Sequence, residues 1–107
     1  MTSFDEREKA AESKFVHDEE MLFHAHARRD RKLGLWAAGL MHKPDDSAQA
    51  YADALVAAEV TSGGEAAVIA KVLKDLASIG MIRPESEIAA KMQEFLAEAL
   101  AEIRAGK

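Results

Sequence analysis

Four histidines, His17, His24, His26 and His42, are the residues of this chain best suited to metal or proton chemistry. His17, Glu20 and His24 stand at i, i+3 and i+7, on one side of a helix, where two imidazoles and a carboxylate can meet a divalent metal. Metal sites between helices draw matching ligands from a second helix, such as a Glu-x-x-His run, and the sequence offers none. The preferred reading is a polar strip on an exposed helix, with no metal and no cofactor expected. His24 and His26 are two residues apart and point to nearly opposite sides of a helix. All four histidines have the chemistry to titrate between about pH 5 and pH 8, which permits pH sensitivity without establishing it.

Arg28, Arg29, Arg31 and Lys32 make the one basic run. Guanidinium groups grip phosphate bidentately, so a nucleotide or a phosphorylated surface is one possible partner. The preferred alternative is a solvated or ion-paired face, with Asp30 and the acids of the last helix as partners. Neither Gly-x-x-x-x-Gly-Lys-Ser/Thr nor Gly-x-Gly-x-x-Gly accompanies the run. Catalysis finds little support. The chain has no Cys and one Tyr, and among its hydroxyls Ser3, Ser47 and Ser62 fall at expected caps while Ser13 and Ser78 are isolated. The Asp45-Asp46 pair sits in a turn, where capping accounts for it.

Two aromatics are more telling. Phe4 and Phe15 lie on a stripe shared with Glu8, Ala11 and Asp18, and if the first helix overhangs the bundle they read as anchors for a groove on another protein, although for Phe15 the fold-back reading is preferred. The plainer alternative folds this segment back, with Phe15 closing the bundle and Phe4 incidental. Leu33, Trp36 and Leu40 are expected in the core.

These residues need helices to place them. Pro44, Gly63-Gly64, Gly80 and Pro84 divide the chain into four helical pieces. The first runs from a Ser3/Glu6 capping box to about Met41. Its packed stripe holds Phe15, Leu22, Ala25, His26, Leu33, Trp36, Ala37 and Leu40. Before Phe15 the stripe offers too little apolar surface to offset the ordering entropy, which predicts an exposed or fraying arm over residues 1–19. The body, residues 20–107, should hold helices over about 20–41, 47–60, 64–79 and 85–104. Asp46 or Ser47 should cap the second helix and Ser62 or Gly63 the third, with Gly80 ending the third and Pro84 opening the fourth. The second helix should bury Ala48, Tyr51, Ala52, Leu55, Val56 and Glu59. The third should bury Ile69, Val72, Leu73, Leu76 and Ile79, and the fourth Ile88, Met92, Phe95, Leu96, Ala99 and Ile103. The fold class is all-α, a small four-helix bundle with a long first helix.

Composition agrees. The chain has 107 residues, 49% of them apolar and six of them aromatic, a single-domain size whose apolar share rests on helix-forming side chains. It carries 19 Asp plus Glu against 14 Lys plus Arg, a net charge of -5. Residues 1–20 hold a net -4, residues 21–43 a net +4 and residues 44–107 a net -5. One short basic block on an acidic chain argues against nucleic acid as a partner. The acidic N-terminus without an apolar leader, and the want of any long apolar stretch, predict a soluble, cytoplasmic protein without membrane insertion.

Ser3-Phe4-Asp5-Glu6-Arg7-Glu8-Lys9-Ala10, Glu12-Ser13-Lys14-Phe15, His17-Asp18-Glu19-Glu20, Ala27-Arg28-Arg29-Asp30 and Leu33-Gly34-Leu35-Trp36-Ala37-Ala38 together closely resemble one family. It is the zeta subunit of the alphaproteobacterial F-type ATP synthase, also catalogued as a domain of unknown function. The similarity covers essentially the whole chain: it is dense over residues 2–38, thinner over Tyr51-Ala52 and Lys71-Val72 to Asp75-Leu76, and returns at Ile88 to Lys91-Met92 and at Leu96-Ala97-Glu98-Ala99. The chain departs from the pattern at His24, His26, Ala66-Ala67 and Pro84, all outside the N-terminal segment. The resemblance implies a four-helix inhibitor of ATP hydrolysis whose N-terminal segment inserts between catalytic and non-catalytic head subunits, against the rotor stalk. By position it implies residues 1–19 as the inhibitory element, with Phe4, Arg7, Lys9, Lys14 and Phe15 as contacts. The remaining chain would dock on the outside of the head, at the cytoplasmic face of the inner membrane.

Overall fold

A computed structural model describes the backbone of residues 2–107 and the side chains of residues 19–107. Four helices follow one another: α1 (Thr2–Leu40), α2 (Asp45–Ser62), α3 (Glu65–Ala77) and α4 (Glu85–Arg104), with no strand among the described residues. The all-α expectation holds, and so does the long first helix.

The breaks fall where the turn residues predicted, with one addition. Gly80 takes the left-handed conformation (φ 85°), and the Met81 amide donates to the Leu76 carbonyl at 3.0 Å, which closes α3 in a Schellman turn. The same turn closes α1, where the Lys43 amide reaches the Ala38 carbonyl at 3.0 Å. There the left-handed position is held by His42 (φ 56°), the one non-glycine among the described residues to adopt it. Three cap expectations differ. Pro44, in extended backbone, precedes α2 and Asp46 and Ser47 make no capping hydrogen bond, so Asp45 and Asp46 act through charge at the positive end of the helix. Gly64 precedes α3 in a conformation only glycine adopts easily, displacing Ser62 and Gly63 from that role. Pro84 stands just before α4 rather than inside it.

The core joins Leu33, Ala37 and Ala38 of α1 to Tyr51 and Leu55 of α2, Val68, Ile69, Val72 and Leu76 of α3, and Ile88 and Met92 of α4. Most of the predicted stripes point inward. Among the described residues two predicted core positions do not: Leu22 and Ile79 are exposed, Leu22 ahead of Ala25, the first buried residue described, and Ile79 in the turn beyond α3. Trp36 packs at the rim rather than the centre, with the Lys91 ammonium 5.6 Å from its ring centroid.

Gly34 sets how closely α1 approaches α2. A Cβ at this position would stand 2.5 Å from the Ala52 Cα, a backbone atom that cannot swing aside. Gly39, also in α1, has open space where its Cβ would be. The two glycines therefore predict opposite outcomes. Ala at either gains about 1 kcal/mol of helix propensity, but at position 34 the overpacking costs more, for a net loss of about 1–3 kcal/mol. Gly39→Ala should stabilise by up to about 1 kcal/mol. Urea unfolding of the two variants beside the parent checks the signs.

Candidate partner-binding arm and its anchor

The helix that carries the expected inhibitory segment is α1, so the question is where it is fastened. Of its described residues, Glu19, Glu20, Leu22, Phe23 and His24 are exposed, and burial begins at Ala25. From there Ala25, Arg29, Asp30, Leu33, Gly34, Ala37 and Ala38 are buried, at helical spacing, against α2 and α4. Phe4, Arg7, Lys9, Lys14, Phe15 and His17 lie outside the residues whose side chains are described.

The basic run is where α1 is fastened. Arg29 is only 2% exposed and acts as a hub. Its Nε donates to Asp30 Oδ1 at 3.1 Å, a terminal N–H donates to Glu59 of α2, and Nη1 lies 3.7 Å from Glu65 of α3. Asp30 is fully buried, and its Oδ2 has no hydrogen-bond partner among the described residues. Burial, with the neighbouring Glu59 carboxyl next in weight, pushes the Asp30 carboxyl up to about 7 against the pull of Arg29. Arg31 pairs with Asp53 and Gln49 of α2. Arg28 and Lys32 reach across to α4, where Glu102 accepts from both, at 3.2 and 2.7 Å, and Glu98 lies 3.4 Å from the Lys32 ammonium. Lys32 and then Arg28 hold the Glu102 carboxyl below its ordinary range, while Glu102 raises Lys32.

Each of the four basic side chains thus has a carboxylate within 4.0 Å. A phosphate would have to displace Glu102, Asp53 or Glu98 from the exposed members, and at Arg29 it would have to enter a closed seam. Between α1 and α2 the outer surface forms an open groove of about 670 Å³ lined by Ala27, Val56, Ala57 and Val60 together with Arg28, Arg31, Asp53 and Thr61. Phe23, 66% exposed, stands one turn before Ala27 on the same side of α1. Glu20 and His24 of the histidine strip are exposed, and no cluster of three His, Asp or Glu among the described residues could hold a metal ion.

Sequence reasoning missed the exposure of Phe23, though its position off the predicted stripe of Leu22, Ala25 and His26 was a signal. The pairing of Asp30 with the basic run agrees with the sequence, but its burial was missed. A conserved-domain family model described as ATPase inhibitor subunit zeta matches residues 1–102. The chain belongs to that family. No curated protein matches the chain. The family's description is that of an ATPase inhibitor subunit, and the match runs through the whole of α1 and on to α4. Among the described residues no helix is long and apolar enough to cross a membrane.

Proposed function

We propose that this protein restrains ATP hydrolysis by the F-type ATP synthase, inserting residues 1–19 between catalytic and non-catalytic head subunits and against the rotor stalk. The inserted helix blocks rotation in the hydrolytic direction, and residues 20–107 dock on the outside of the head, at the cytoplasmic face of the membrane. Family membership supports the target. The observation that carries the insertion is that α1 runs unbroken from Thr2 to Leu40 while, among its described residues, burial begins only at Ala25. The ion-paired anchor that follows fastens α1 to all three other helices and supports a rigid carrier for such an arm.

Phe4 and Phe15 are the anchors this reading assigns, with Arg7, Lys9 and Lys14 meeting acidic groups of the crevice. Truncating a buried aromatic anchor at an interface costs about 2 kcal/mol or more. The double variant Phe4→Ala, Phe15→Ala should therefore need at least ~30-fold more protein for half-inhibition of ATP hydrolysis, with its unfolding midpoint unchanged. Unchanged inhibition by the double variant would remove these residues from the contact.

A further inference from the structure

We propose that Asp30 and Glu59 form a one-proton switch at the junction of α1, α2 and α3: sharing a proton they close the seam, and losing it they loosen it.

The geometry leaves one cation for three carboxylates. Arg29, from α1, faces Asp30 of α1, Glu59 of α2 and Glu65 of α3, and Glu65 is half exposed and the most distant of them at 3.7 Å. His26, half-buried, lies one turn before Asp30 on α1. The charged groups of α4 nearest this part of α1, Glu98 and Glu102, are taken up by Lys32 and Arg28. Arg29 reaches Oδ1 of Asp30 but not Oδ2, which is buried and unpartnered. An ionised carboxylate cannot hold a buried oxygen without a donor cheaply. A proton on Oδ2 turns that oxygen into a donor, and the Glu59 carboxylate is the acceptor at hand. The cluster then holds one carboxylate charge beside Arg29, with Glu65 left to solvent.

The displacement of the Asp30 carboxyl to about 7 agrees with this arrangement. Its direction fixes the sign. In the unfolded chain an Asp ionises near pH 4, whereas the folded protein keeps the proton to about pH 7. Across that window the folded state binds more protons than the unfolded one, so this site makes stability fall as pH rises from about 4 to 7, and level off above. The consequence for inhibition rests on the function proposed above: the seam holds the helix that carries the arm, so inhibition weakens on the alkaline side of neutrality.

Carboxyl carbon NMR of the full-length protein tests the switch directly. Asp30 should titrate with an inflection between pH 6 and 8, and an inflection below pH 5 would overturn the proposal. In Glu59→Gln the amide can donate to Oδ2 without a shared proton, and the inflection should move down. Asp30→Asn cannot titrate there, so between pH 5 and 7.5 the melting temperature of the parent should fall by at least ~5 °C relative to this variant. Parallel curves would contradict the switch. Should Asp30→Asn fail to fold, the titrations of the parent and of Glu59→Gln decide. The inhibited fraction of ATP hydrolysis, compared at pH 6.5 and pH 8, should fall for the parent and stay level for Asp30→Asn. Absence of inhibition at both pH values would count against the function alone, since the carboxyl titration reads the switch independently.

Discussion

Arg29→Ala is expected to destabilise the folded protein by about 3–5 kcal/mol, the range for removing one partner of a buried ion pair. The side chain is 2% exposed and joins three helices through Asp30, Glu59 and Glu65, so its loss strands a fully buried carboxyl and leaves a void. A domain of this size holds only about 5–15 kcal/mol in total, which places the variant close to unfolding. The effect should depend on pH with a definite sign. At pH 5 the stranded carboxyl stays protonated and neutral, as in the parent, while at pH 8 it must either ionise without its cation or hold a proton against the solvent. Urea unfolding should therefore show a larger deficit at pH 8 than at pH 5. Arg29→Lys keeps the charge but loses the fork that reaches several carboxylates at once, and it should recover only part of the loss. Lys32→Ala, at a partly exposed pair on the same helix, should cost no more than about 1 kcal/mol. A deficit for Arg29→Ala as small as that of Lys32→Ala would mean that the buried hub does not hold the helices together.

Much of this architecture was legible in the chain, because each helix carries its own signals. Leu33, Leu55, Val72, Leu76, Ile88 and Met92 recur at helical spacing, and every one is buried. Gly80 announced its turn through the conformation that glycine alone adopts without strain, and His42 could not, since a histidine in the left-handed region has no sequence signature. Ile79 and Leu22 were misplaced for a common reason. Periodicity assigns a face, but not whether another element covers that face at that height, and both residues lie where the bundle is absent. The ion-pair reading of the basic run was sound for Arg28 and Lys32, whose partners on α4 were foreseen. What spacing could not show is that Arg29 and Asp30 turn inward between α1 and α2. Glu59, on the apolar stripe of its helix, was the clue, because an acid at a core position calls for a cation facing it. The proposed arm rests mainly on a deficit in the sequence: two aromatics and little else to bury, on a helix whose described residues become buried only at Ala25.

Deleting residues 1–19 is the most direct test of the inhibitory arm. The removed residues lie ahead of Ala25, the first buried residue among those described, so residues 20–107 retain the described core and the ion-paired seam. Hydrolysis of ATP by an alphaproteobacterial F-type ATP synthase should be measured with the full-length and shortened proteins, with circular dichroism and melting confirming that the shortened protein is folded. The account predicts that the full-length protein lowers the rate in a concentration-dependent manner and that the folded, shortened protein leaves it at the uninhibited value even at saturating concentration. Equal inhibition by the shortened protein, or none by the full-length protein, would contradict it.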